Sequence, residues 1–170
     1  MSDYADLIRC INEKLKEFSY LEDPAITIPN ILYISYVKVK NPFKVRNLCA
    51  LLSVPENVKD VQMAKRFLDT IKRSVLNKYG EAFLWKELEM IYVILCDDLL
   101  YSQLKIDDGK VLDESGFSLN AMLGSTFINK GNHDSFSHSN WGIYFSGKHF
   151  KELTQVIEKW CLNKKESRVP

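Results

Sequence analysis

The sequence predicts an α+β fold in a single globular domain that spans residues 1–170. Three observations support this prediction. A length of 170 residues suits one domain, and a content of 46% hydrophobic and 12% aromatic residues is typical of a chain that folds around a core. Helical periodicity dominates the first two-thirds of the chain, whereas strand-like segments follow it. We therefore expect a helix-rich N-terminal two-thirds with a long central helix, a small and mainly antiparallel sheet contributed largely by the C-terminal third, and a closing C-terminal helix.

The N-terminal elements follow from spacing and from helix-terminating residues. The segment 31–40 is rich in Ile, Val and Tyr and predicts a strand. Asn41-Pro42 has the form of a cap and first helical residue, and predicts a short helix to about Leu52. A longer helix is expected from about Asn57 to Tyr79, where Gly80 ends it. The first helix is predicted from apolar residues that recur at helical spacing: Tyr4, Leu7, Ile8, Ile11, Leu15 and Phe18.

The central helix is predicted over Glu81–Leu104. On a helical wheel five of its apolar residues fall within about 80° of one another, namely Leu84, Leu88, Ile91, Leu95 and Leu99. Other sides of this helix are apolar too, which indicates that it packs between two layers. Asp98 falls on the inward side of the wheel, between Ile91 and Ile94. Because a buried carboxylate without a partner is costly, Asp98 is expected either to accept a hydrogen bond or to line a cleft.

The C-terminal third carries turn signals between short apolar segments. Asp107-Asp108-Gly109 predicts the turn of a hairpin between residues 104–106 and 111–112. Strand-like pieces are expected within 117–128, and a polar loop is expected over 129–140. A further strand is predicted over Trp141–Phe145, a closing helix over Lys148–Leu162, and a frayed tail over 163–170.

Composition also limits the cellular setting and the chemistry. No segment reaches the roughly 18 apolar residues of a membrane span, and the first residues lack the pattern of a secretory signal. The four cysteines are far apart and contain no CxxC pair, which favours buried reduced thiols over a zinc site or a disulfide framework. We therefore predict a cytoplasmic protein with no cofactor, no bound metal and no membrane partner.

Charge is distributed unevenly along the chain. Ten basic and three acidic residues lie within 38–78, a net of +7, whereas nine acidic and three basic residues lie within 81–114, a net of −6. Such polarity can steer a charged partner towards one surface. Two solvated helix faces of different composition would give the same pattern.

The loop His133-Asp134-Ser135-Phe136-Ser137-His138 contains the residue types of a catalytic or metal site. His133, Asp134 and His138 could ligate a metal, or supply a general base beside a serine. No helix fixes the two histidines on one face, as the HExxH pattern does, and no glycine-flanked nucleophile turn is present. A contact loop is the favoured interpretation, and a small metal-assisted hydrolase or nuclease that uses these three residues is the alternative.

Two further patterns concern phosphate and nucleic acid. The segment Gly142–His149 nearly matches the phosphate-binding loop GxxxxGK[ST], but a histidine replaces the hydroxyl residue that would ligate magnesium. Nucleotide hydrolysis is therefore rejected. A nucleic-acid-binding regulator is a second alternative, acting through Lys65, Arg66, Lys72 and Arg73. The recognised nucleic-acid motifs are missing and the net charge is only +1, so we do not expect nucleic acid to be the partner.

The run Trp141–Phe150, which leads into Leu153, Ile157 and Trp160, resembles bacterial immunity proteins of contact-dependent growth inhibition and other polymorphic toxin systems. The resemblance implies a non-enzymatic protein that binds a cognate toxin domain and covers its active site. A nuclease toxin would present a basic surface, so acidic residues would meet it and aromatic residues would anchor it. The partner-binding residues expected on this basis are Asp97, Asp107, Asp108, Asp113, Glu114, Phe136, Trp141 and Tyr144.

Overall fold

The fold is a mixed β-sheet with helices on both of its faces. The computed structural model describes residues 4–37, 46–79, 88–110, 122–139 and 147–167. Within these ranges the elements in chain order are α1 (Ala5–Lys16), β1 (Leu21–Glu22), β2 (Ile31–Tyr36), β3 (Arg46–Ser53), α2 (Val61–Tyr79), β4 (Leu88–Cys96), α3 (Asp98–Ile106), β5 (Met122–Asn129), β6 (Ser135–Ser139) and α4 (Gly147–Glu166).

The six strands lie in the sheet in the same order as in the chain. β3, β4 and β5 are parallel to one another, and α2 and α3 make the crossovers between them. The outer pairs β1–β2, β2–β3 and β5–β6 are antiparallel. Parallel pairing buries a strand on both faces because its crossover helices must cover the sheet, and all nine residues of β4 are accordingly buried.

Two hydrophobic clusters flank the sheet, because successive side chains of a strand point to opposite faces. Tyr92 and Ile94 face α2 and α3 in one cluster. Ile91 and Val93 face α1 and α4 in the other. The molecule therefore has three layers, with α2 and α3 on one side of the sheet and α1 and α4 on the other.

The predicted central helix over 81–104 is wrong. Residues 88–96 form β4, and Asp98–Ile106 form the separate short helix α3. Residues 81–87 lie outside the described residues. A strand buried on both faces is a continuous apolar run, and the run Met90–Cys96 satisfies a helical wheel as well as it satisfies a strand. Asp97 is the break that the wheel missed, because it lies between the strand and the helix and caps the latter.

The predicted distribution of elements is wrong as well, although the α+β class is right. Helices are not concentrated in the N-terminal two-thirds, and the sheet is mixed and draws its strands from the whole chain. The short helix expected to about Leu52 is wrong over residues 46–52, which lie in the inner strand β3. The hairpin expected at 104–112 is instead the end of α3 followed by a turn to Lys110, and residues 111–121 lie outside the described residues.

The amphipathic helices were predicted more closely. The structure has helices at Ala5–Lys16, Val61–Tyr79 and Gly147–Glu166, each close to its expected position. The last of them extends to Glu166, so four of the eight residues expected to fray, 163–166, are helical. The strand expected at 141–145 lies outside the described residues. Within the described part of the chain, no helix is both long and apolar enough to cross a membrane.

Candidate functional site

The carboxyl ends of the three parallel strands lie at one edge of the sheet, where side chains and backbone groups form polar contacts. Asp97 follows β4, Asn129 ends β5, and Val54 follows β3. In open α/β sheets such an edge binds ligands where neighbouring crossovers diverge to opposite faces. Here α2 and α3 both pack on the same face, so the crossovers from β3 to β5 do not create that crevice. The Lys130 ammonium donates to the Val54 carbonyl over this edge at 2.8 Å.

Asn129 joins this edge to the start of α3. Its side chain is buried, and its Nδ2 donates to Asp98 Oδ1 at 2.8 Å. Its Oδ1 accepts the backbone N–H of Gly131 at 2.7 Å, and its backbone N–H donates to the Asp134 carbonyl at 2.8 Å. One amide side chain therefore fixes the β5–β6 turn and the first residue of α3 together. Sequence reasoning missed Asn129, because an asparagine at a polar turn gives no sign of such a long-range contact.

Local chemistry defines both ends of α3. Asp97 is its N-cap, and Oδ1 of Asp97 accepts the backbone N–H of Leu100 at 2.9 Å. At the other end, Asp108 and Gly109 adopt positive φ angles of 57° and 69°, and the N–H of Gly109 donates to the carbonyl of Leu104 at 3.0 Å. Gly109 is needed there because an added Cβ would lie 2.7 Å from Cβ of His138.

The outer face of α3 carries two exposed apolar side chains. Leu99 is 56% exposed and Ile106 is 87% exposed. They are seven residues apart, and therefore lie two turns and about 10 Å apart on one stripe of the helix. Gln103 lies between them on this stripe. We call Leu99, Gln103 and Ile106 the α3 stripe.

The N-terminus of α2 extends this surface. An open depression of about 380 Å³ lies between Gln103 and Ile106 of α3 and residues 60–62, which are Asp60 and the first two residues of α2. Met63, which is 37% exposed, follows directly. The wheel of the predicted central helix had placed Leu99 inward. That placement is wrong, because α3 is a separate helix that begins after the Asp97 cap. Its buried side consists of Leu100, Tyr101 and Leu104.

The predicted acidic residues that the structure describes lie at the two ends of the α3 stripe. Asp97 is at the N-terminal end, where its carboxylate is 3.4 Å from the Lys59 ammonium. Asp98 is exposed beside it, so its inward placement was wrong. It does accept a hydrogen bond, as expected, but the donor is the side-chain amide of Asn129. Asp107 and Asp108 follow the C-terminal end, with Asp108 exposed. The structure therefore brings the acidic residues together around one short helix.

The predicted aromatic anchors are only partly described. Phe136 on β6 is half-buried; its ring stacks on Phe127 with 4.7 Å between centroids and meets Tyr101 edge-on at 5.4 Å. Phe136 thus packs against the core cluster below α3, and its contact with a partner stays a prediction. Burial raises the pKa of Tyr101 to about 12, so this phenol is neutral at physiological pH. The remaining four predicted residues lie outside the described residues: Asp113, Glu114, Trp141 and Tyr144.

The residues of the alternative metal site are placed on different sides of the sheet. His133 is buried, with its ring 5.3 Å from that of Trp160 on α4. The side chain of His138 lies against Gly109, which follows α3 on the other face. Asp134 binds the Lys165 ammonium, and this hydrogen bond lowers the pKa of the Asp134 carboxyl. Within the described ranges, no group of three His, Cys, Asp or Glu residues is arranged to hold a metal ion.

The basic residues of the nucleic-acid alternative lie along α2. Lys65, Arg66 and Arg73 are exposed, with Asp69 among them. Lys72 is partly buried, and desolvation lowers the pKa of its ammonium group. This helix face therefore mixes both signs of charge and does not form a uniform basic stripe.

The chain was compared with protein-family models, with curated proteins and with solved structures, and none of the three comparisons found a match.

Proposed function

We propose that this chain is a non-enzymatic binding protein, an immunity protein that binds a cognate bacterial toxin domain and neutralises it by covering its active site. The observation that carries the proposal is the α3 stripe, an exposed apolar surface with carboxylates at both ends. The resemblance of the run Trp141–Phe150 to immunity proteins gives the biological class. The stripe gives the surface on which such a protein would act.

The apolar part of the surface would supply affinity. Full burial of an Ile or Leu side chain stabilises a complex by about 1.5–3 kcal/mol. Ile106 has almost all of this area still exposed, and Leu99 about half. Single exposed apolar residues are common on proteins, but these two share a stripe, and the depression beside α2 offers a place for a partner side chain. A partner side chain seated between Gln103 and Val61 would contact both helices.

The charge of the surface indicates the chemistry of the partner. Residues 97–110 contain four carboxylates and two ammonium groups, which gives this segment a net charge of −2 at neutral pH. Such a surface attracts a partner whose contact region is apolar at its centre and basic at its rim. A nuclease fits this description, because its substrate-binding surface must attract phosphates. Covering that surface would prevent nucleic acid from reaching the active site.

The test uses two leucines of equal exposure. Leu99 on α3 and Leu162 on α4 are both 56% exposed, and they lie on opposite sides of the sheet. The partner is captured from the source cytosol with the tagged protein, and its domains are expressed alone to find the one that arrests growth. We expect the wild-type protein and Leu162→Asp to restore growth. Leu99→Asp should bind about tenfold or more weakly, because it places a charge in an apolar contact.

The two parts of the proposal can fail separately. If no captured partner arrests growth, the assignment as an immunity protein is wrong. If a toxin is found but Leu99→Asp and Leu162→Asp bind it equally well, the function stands and the α3 stripe is not the binding surface. Far-ultraviolet circular dichroism of both variants confirms that each is folded, which is expected because both substitutions are on the surface.

A further inference from the structure

A second charged surface lies on the opposite side of the sheet, in the groove between α1 and α4. Two adjoining depressions of about 560 and 330 Å³ share Lys14, Val156 and Lys159 in their walls. They therefore form one continuous groove, which we call the α1/α4 groove. Cys10 and Val156, both partly exposed, give the groove apolar surface.

Lysines from both helices line this groove. Lys14 comes from α1, and Lys148, Lys151 and Lys159 come from α4. The carboxylate of Glu152 lies 3.3 Å from the Lys14 ammonium and 3.6 Å from that of Lys148. These two lysines are therefore already partly neutralised.

The other two lysines are available to a ligand. Within the described part of the chain, Lys151 and Lys159 form no ion pair, and both are exposed. They are eight residues apart on α4, which places them about 12 Å apart along the helix axis. Two carboxylates seven or eight residues apart on a partner helix would also be about 10–12 Å apart, so each could pair with one of these lysines.

The mixture of charges distinguishes a peptide from a nucleic acid. Glu13, Glu17 and Glu152 line the groove together with the lysines. A phosphate backbone carries a charge at every nucleotide and would meet these carboxylates unfavourably. A peptide can place its own carboxylates at Lys151 and Lys159 and leave the positions opposite the glutamates neutral or basic. The only aromatic side chain that lines the described groove is Trp160, which is buried and not available for stacking a base.

We propose that the α1/α4 groove binds an acidic amphipathic helix of a partner protein. Its apolar side would pack on Cys10 and Val156, and its carboxylates would pair with Lys151 and Lys159. This site is independent of the α3 stripe, because the sheet separates the two. The protein would then hold two partner segments of opposite charge at once, one on each face.

The test uses a fluorescein-labelled helical peptide of about 18 residues, five turns long, with leucine on one side and glutamate on the adjoining side. Binding is followed by fluorescence anisotropy at low and moderate salt. We expect binding that weakens with salt and falls about tenfold or more in the variant K151E/K159E. The matched control K65E/R73E reverses two exposed charges on α2, and should bind within about twofold of the wild type.

The position of the peptide is read independently from Cys10. Cys10 is partly exposed, whereas Cys49, Cys96 and Cys161 are buried. Peptide bound in the groove should therefore slow the alkylation of Cys10 by iodoacetamide in the wild-type protein. The proposal is overturned if the peptide does not bind, if K151E/K159E binds it as well as the wild type, or if Cys10 is not protected. It is also overturned if a single-stranded oligonucleotide of about 20 nucleotides binds the groove more tightly than the peptide.

Discussion

Replacing Asn129 by alanine should destabilise the protein by about 2 kcal/mol. The substitution removes an amide that donates to the Asp98 carboxylate at 2.8 Å and a carbonyl that accepts from Gly131 at 2.7 Å. A hydrogen bond to a charged group is worth about 1.5–3 kcal/mol, and a neutral one about 0.5–1.5 kcal/mol. Asp98 and Gly131 are exposed, so water replaces part of what is lost, and the expected cost lies at the lower end of the sum.

Urea unfolding at pH 7, followed by circular dichroism, measures this cost. Asn163→Ala, at an exposed position of α4, is the matched control and should change stability by less than about 0.5 kcal/mol. An equally small effect of Asn129→Ala would refute the argument that this side chain joins the β5–β6 turn to α3.

Asn129→Asp refines the same test. It keeps the acceptor for Gly131 but places a carboxylate against that of Asp98. The pKa of this carboxylate pair should be raised in the folded variant, because two close negative charges disfavour ionisation. The destabilisation should therefore be largest above the raised pKa and should shrink as the pH falls and one carboxyl takes up a proton.

Three further predictions concern the packing and electrostatics of the fold. Gly124→Ala should cost about 1–3 kcal/mol in urea unfolding, because an added Cβ would lie 2.6 Å from the Phe150 ring, and the double variant with Phe150→Leu should recover part of the loss. Tyr79→Phe should reduce stability at pH 7 by removing a 2.6 Å hydrogen bond to the Asp23 carboxylate. The hydrogen bond from Tyr79 is the largest cause of the lowered pKa of Asp23 in the folded state. The difference in the free energy of unfolding between the variant and the wild type should therefore be fully present above the ordinary pKa of 3.8, and should vanish as the pH falls through the lowered pKa. Unfolding measured across an acid titration tests this. In the native protein iodoacetamide should label Cys10 well before the three buried cysteines, as mass spectrometry can establish; equal labelling of all four would contradict the described packing.

Amphipathic helices were the part of the fold that sequence reasoning predicted best. A helix with one buried side, such as α2, repeats its apolar residues every three or four positions, and that period has a single structural interpretation. A strand buried on both faces has no period. The run Met90–Cys96 is apolar at every position, so its spacing could not distinguish a strand from a buried helix. Assigning this one segment to a helix also removed the parallel centre of the sheet from the prediction.

The candidate surface was predicted in part for a related reason. Asp97, Asp107 and Asp108 were selected for their charge, and the structure places them at the two ends of one helix. The apolar stripe between them was missed, because Leu99 had been assigned to the inward side of a longer helix. Leu99 is placed on the exposed side only once the strand is recognised to end before Asp97 and a new helix to begin after it. Asp97 could have given the signal, since an Asp that follows a β-branched and aromatic run is a favoured N-cap.

Hydrogen exchange of the protein with and without the isolated toxin domain tests the central claim most directly, because it locates the covered surface without any substitution. The binding surface proposed here predicts slower exchange of backbone amides in α3 and in the first turn of α2 when the toxin is bound. The amides on the outer face of α4 should exchange at the same rate in both states. Protection confined to α1 and α4, with α3 unchanged, would contradict the proposal that the α3 stripe binds the toxin.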